Sequence, residues 1–180
     1  MRKNLLTLMC CTGFIFSSYN YCFAQAIQGT PQYQSAMQAL AQGNYQEAFD
    51  AMTPLIQNGR LRAAAMVEMG KIRQKQAEAE MNSAMNHYNE AVNYLSDGLL
   101  SNGVTGAEAP KTYYDLGTIY LEKLNNPLLA MESFSKIIEN YPTYMAIDKA
   151  YFNLARCEET IGLIEPIAHS AAMNTVWVRV

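Results

Sequence analysis

Residues 113–142 read YYDLGTIYLEKLNNPLLAMESFSKIIENYP, and this stretch decides the fold class. Tyr113, Leu116, Gly117 and Tyr120 recur at steps of three and four, so they share one face of a helix. Ala130 and Phe134, four apart, share the face of a second helix. Asn125, Asn126 and Pro127 lie between the two, and Pro142 closes the stretch. The physical sense of the spacing is close approach. A Gly or Ala lets two helices touch, while Leu, Tyr and Phe fill the space beside the contact.

Taken in order, these residues form the pattern of an aromatic, Leu-Gly, Tyr, then Ala, Phe and Pro. The stretch resembles a tetratricopeptide repeat (TPR), with Tyr113 where the family usually has Trp. The pattern recurs on both sides. Residues 31–58 contain Ala36 in a small-residue slot, a Gly43-Asn44-Tyr45 turn, then Ala48 and Met52. Met66, Met69, Gly70 and Arg73 open another unit, whose second helix takes Ala91 and Leu95. That spacing is longer than in the unit at Tyr113, through either an extended helix or an insertion between Ala77 and Tyr88. Gly98 and Gly103 are read as its end, and Ser101 to Ala109 as the loosest loop. After Pro142, Tyr151, Leu154 and Ala155 repeat Tyr113, Leu116 and Gly117 at a 38-residue offset. Pro166 suits the first position of one more helix, with Ala168 and Ala172 at the offset from Ala130 and Phe134.

The resemblance implies an all-α fold, a right-handed superhelical stack of antiparallel helix pairs in about 3–4 repeats. It spans 27–174, with 175–180 as a tail. Residues 174–180, NTVWVRV, are β-branched and apolar, unlike the polar outer helix that usually finishes such an array.

The first 26 residues have another character. Arg2 and Lys3 precede an apolar run from Leu5 to Phe16, and small-x-small exits follow at Ala24 and Ala26. This is the layout of a secretory signal peptide, cleaved after Ala24 or Ala26, with an uncleaved anchor as the alternative. The residues ahead of Cys10, Cys11 and Cys22 are not the small residues expected before a lipidated cysteine. An exported chain, periplasmic or secreted, is the expectation. Without Arg2 and Lys3, eleven basic residues face sixteen acidic ones, a net charge of about −5, which argues against a general nucleic-acid binder. Cys157 would then be the lone cysteine, a small apolar residue by default. No other stretch approaches the length of a membrane span.

No catalytic spacing is present: no His-Glu-x-x-His, no Gly-x-Ser-x-Gly, no phosphate-cradling Gly loop and no Cys-x-x-Cys. No catalytic, cofactor-binding or metal-ligating residue is assigned. His87 and His169 are far apart, and Glu158 and Glu159 point about 100° apart on a helix. Arg60, Arg62, Lys71, Arg73 and Lys75 form a basic cluster, read as either an anion-facing stripe or a solvated helix face.

In TPR proteins the first helix of each unit lines a concave groove. Carried onto this sequence, the partner-binding candidates are Tyr33, Met37, Lys71, Lys75, Lys111, Tyr114, Thr118, Phe152 and Arg156. The resemblance implies a non-enzymatic adaptor or scaffold that holds a protein or peptide, with an acidic segment suited to these cations, and that is open to self-association. An accessory subunit of an envelope hydrolase and an exported effector that binds a host protein are the alternatives.

Overall fold

The structure is a computed structural model that describes residues 26–101, 104 and 106–162. The leader reading at 1–25, Gly103 and the chain from Leu163 onward lie outside the described residues. Among the described residues every regular element is helical. The chain divides into two compact units, Met1–Thr112 and Tyr113–Val180.

In the first unit, helix α1 spans Pro31–Ala41. Thr30 caps it by accepting from the Tyr33 amide at 3.2 Å, and Pro31 opens it with a preset φ. Gly43 turns the chain at φ +79°, a left-handed conformation costly for a residue with a Cβ. Helix α2, Tyr45–Met52, follows and runs into a short 3-10 turn at Thr53–Gln57. Ala36 and Ala48 are fully buried, which lets these two short helices pack closely. Around them Phe49, Met52, Leu55, Met69 and Ile72 form one apolar cluster.

Helix α3, Arg62–Ala79, and helix α4, Ala84–Leu100, are each about five turns long, so the wide spacing in the sequence reflects lengthened helices. Their contact is set by two glycines. A Cβ on Gly70 would stand 2.7 Å from Leu95 Cγ, and one on Gly98 would stand 2.8 Å from Val67 Cγ2. Early residues of α3 thus meet late residues of α4, which makes the pair antiparallel. Gly98 corrects the expectation drawn from sequence. It does not end the helix; it lies buried inside α4, where Ala63 and Val67 leave no room for a side chain.

Helix α5 spans Glu108–Glu122, taking in Glu108 and Ala109 from the stretch read as loop. From Tyr113 onward it belongs to the second unit. Helix α6 spans Pro127–Asn140, capped by Asn126, whose side chain accepts from the Leu129 amide. Tyr113 lies near Tyr141, and a Cβ on Gly117 would stand 2.7 Å from Phe134 Cζ, so α5 and α6 are also antiparallel. Phe134 is fully buried. Helix α7, Ile147–Ile161, packs on α6 and adds Ala150 and Cys157 to the same cluster. Burial pushes the Cys157 thiol pKa up, which keeps it protonated and unreactive.

Candidate functional site

The candidate residues fall into one group in each unit. In the first, Lys71 leaves α3 at mid-height, with its Nζ 2.9 Å from Glu68 Oε1 and 2.7 Å from Glu108 Oε1. Burial pulls its pKa down, but the two carboxylates outweigh this and hold it above the ordinary lysine value. Lys71 is therefore already neutralised. Tyr33 lies in the field of the same three groups, and burial, followed by Glu68, raises its pKa. Tyr33 and Met37 are half-buried against the apolar cluster, so each divides its surface between packing and exposure.

Lys75 stands one turn beyond Lys71. It is exposed and forms no ion pair among the described residues. It lines an open cleft of about 330 Å³ with Leu40, Tyr45, Glu78 and Ala79. Leu40 and Tyr45 supply part of its wall, while Lys75 and Glu78 bring one positive and one negative charge to its lining. Lys111 is likewise exposed without an ion pair among the described residues.

Arg73 stands apart from the basic cluster, since it belongs neither to an anion-facing stripe nor to a solvated helix face. It is only 7% exposed and points into the unit. Its Nη1 donates to the side-chain carbonyls of Gln46 and Gln76. Its Nε lies 2.6 Å from Glu90 Oε2, although the N–H is turned off that line, leaving an ionic contact without an aligned hydrogen bond. Its guanidinium carbon sits 3.8 Å above the centre of the Phe49 ring. Three helices thus converge on one buried cation. The signal was present in the sequence: Met66, Met69, Gly70 and Arg73 follow the packing face of α3, and a residue on that face is buried whatever its charge.

In the second unit, Tyr114, Asn153, Arg156 and Glu122 form a chain. Asn153 donates to Tyr114 Oη at 3.1 Å, Arg156 donates to Asn153 Oδ1 at 3.0 Å, and Arg156 Nη1 lies 3.3 Å from Glu122 Oε1. Asn153 is buried, so this chain ties α5 to α7. Sequence reasoning missed Asn153 as the link between two residues it had chosen separately. Thr118 donates its hydroxyl to the Tyr114 carbonyl at 2.9 Å, which uses its one donor and leaves it only an acceptor towards a ligand. Phe152 is 67% exposed and Tyr151 beside it 46%.

Among the described residues no three His, Cys, Asp or Glu side chains converge as a metal site, and no helix is long and apolar enough to cross a membrane. No protein-family model matches this sequence, and neither does any curated protein.

Proposed function

We propose that the chain is an exported, non-enzymatic interaction module of the TPR kind, which holds a peptide or protein segment against the first helices of its repeats. One observation carries this reading. Gly70 and Gly117 occupy the same slot in two separate helix pairs, and each is pressed by the large side chain of the following helix, Leu95 and Phe134. A packing solution used twice in one chain supports a repeated unit, and repeated helix pairs recognise partners through exposed side chains on their first helices.

The cations available to such a partner are Lys75 and Lys111, since Lys71 is held by two carboxylates and Arg156 by Glu122. An acidic segment fits them, and the Lys75 cleft has walls for one or two side chains. The test begins with affinity capture by the chain lacking its first 26 residues, from an extract of the source organism's envelope. A captured partner should bind less tightly as salt rises. Lys75→Glu with Lys111→Glu should weaken binding at least tenfold and leave the melting temperature unchanged, since exposed charges contribute little to folding. Binding that ignores both salt and charge reversal would sink the electrostatic part. A purified chain that turns over a substrate unaided would sink the non-enzymatic part.

A further inference from the structure

Helix α3 is open to the outside along one stripe. Between Ala63 and Ala77 the residues that are not buried are Ala64, Glu68, Lys71, Gln74 and Lys75. They recur at steps of three and four, and so share one face of the helix. Lys71 stands in the middle of this face, with Lys75 one turn further on. A segment laid along the face passes over Lys71.

The Lys71 ammonium is occupied from two sides, and the two occupants differ. Glu68 belongs to α3 itself, three residues back, and moves with it. Glu108 comes from the first turn of α5, 37 residues on. The Glu108 side chain is 35% exposed, so solutes reach it where it meets Lys71. The turn that carries it has other anchors. Ala109 and Thr112 are buried, and Thr112 Oγ1 donates to the Glu108 carbonyl at 2.8 Å. The Glu108 carboxylate can therefore leave Lys71 while the first turn of α5 stays in place.

Charge decides how an outside carboxylate enters. An ammonium has three N–H donors, so one remains beyond Glu68 and Glu108. A third carboxylate on that donor would gather three negative charges around one positive charge, and their repulsion opposes it. A carboxylate that displaces Glu108 keeps the count at two. We propose that Lys71 is a carboxylate-binding position held closed by Glu108, an internal stand-in that an acidic side chain of the partner displaces. This rests on the interaction module described above for its use, and it adds Lys71 to Lys75 and Lys111 once Glu108 has moved. Affinity for an acidic segment is then set by an acid of this chain as well as by its bases.

The experiment measures binding of a dye-labelled oligoglutamate peptide, by fluorescence anisotropy at low salt, to the full chain and its variants. Glu108→Gln should bind the peptide about fivefold more tightly than wild type, and the gain should shrink as salt rises. In a chain that already carries Lys71→Gln, the same change should give no comparable gain, which separates an opened Lys71 from the mere loss of a negative charge. Equal affinity of wild type and Glu108→Gln overturns the proposal, as does the same gain with and without Lys71. No binding by any of these chains overturns it too. Glu108→Gln should also melt with wild type; a lower melting temperature with no gain in binding shows that Glu108 only fastens α5, and overturns the mask. If Glu108→Gln does not fold, Glu108→Asp, which keeps the charge and shortens its reach, takes its place and should show part of the gain; no gain there overturns the proposal. The peptide is not a natural partner, so this result stands apart from the outcome of affinity capture.

Discussion

Among the described residues, Arg73 is a buried arginine that must be satisfied from inside the fold. Arg73 gives up its water for two glutamine carbonyls, one carboxylate and an aromatic face. Removing one member of a buried pair leaves the other charge without compensation, at about 3–5 kcal/mol. Glu90 is half exposed, and the two glutamine carbonyls and the Phe49 ring survive its loss. Glu90→Ala is therefore expected to cost less, between the ~1 kcal/mol of an exposed ion pair and the ~3 kcal/mol at which buried pairs begin. Arg73→Lys should also destabilise, because an ammonium cannot reproduce the planar fork. Urea unfolding of the two variants checks both, and a midpoint equal to wild type in each would show the network to be inert. Two other buried residues were read correctly from sequence: Gly117 at a helix contact and Phe134 in the core. Arg73 was read twice, as a slot residue beside Met66, Met69 and Gly70 and as a member of the basic cluster, and its burial agrees with the first reading alone.

At the scale of elements, helix pairs are set by contact geometry. Gly117→Leu forces a side chain into the ring of Phe134 and should cost about 1–3 kcal/mol. Phe134→Ala opens a cavity and should cost about 3–5 kcal/mol. If both variants melt with wild type, α5 and α6 are not packed as described. The link between α3 and α4 is held by polar groups. Glu80 accepts from Gln76 at 3.0 Å, from Ser83 at 3.2 Å, and faces His87 at 3.2 Å. The Gln76 hydrogen bond, with those of His87 and Ser83, holds its pKa below the ordinary value of 4.5 despite some desolvation. A lowered carboxylate pKa contributes stability that is complete above pH 4.5 and is lost as pH falls through the lower, folded value. Carboxyl chemical shifts should place the Glu80 midpoint below 4.5, and Glu80→Gln should remove the acid-side change in its neighbours. A midpoint above 4.5 would contradict the clasp.

For the whole molecule, the extensive helix contacts join α1 to α2, α2 to α3, α3 to α4 and α6 to α7, all neighbours along the chain. Contacts local in sequence shorten the loops to be closed, so refolding should be complete within milliseconds, as in helical bundles. Stopped-flow refolding dominated by a phase of seconds would count against that. The helical character was legible because period, glycine placement and prolines agreed with one another. The division at Thr112 and Tyr113 was not, since the boundary lies inside a continuous helix and breaks no periodicity. For the candidate cations, exposure followed from position on the helix, but ion pairing did not. Lys75 and Lys111 were chosen by position and are exposed. Lys71 and Arg156 were chosen by the same rule, but their carboxylate partners sit 37 and 34 residues away, where no local pattern joins them.

The cation between three helices also constrains inheritance. Positions 46, 73, 76 and 90 form one set, in which a change at the centre removes the reason for the others. A related chain with an aromatic or aliphatic residue at 73 no longer needs an acid at 90 or carbonyl-bearing side chains at 46 and 76. Keeping Gln76 would leave a buried side-chain carbonyl without its partner, whereas Gln46 and Glu90, both open to solvent, would exchange theirs for water. The four positions should therefore vary jointly among descendants of a common ancestor, whereas Lys75 and Lys111, tied to nothing inside the fold, are free to follow the partner.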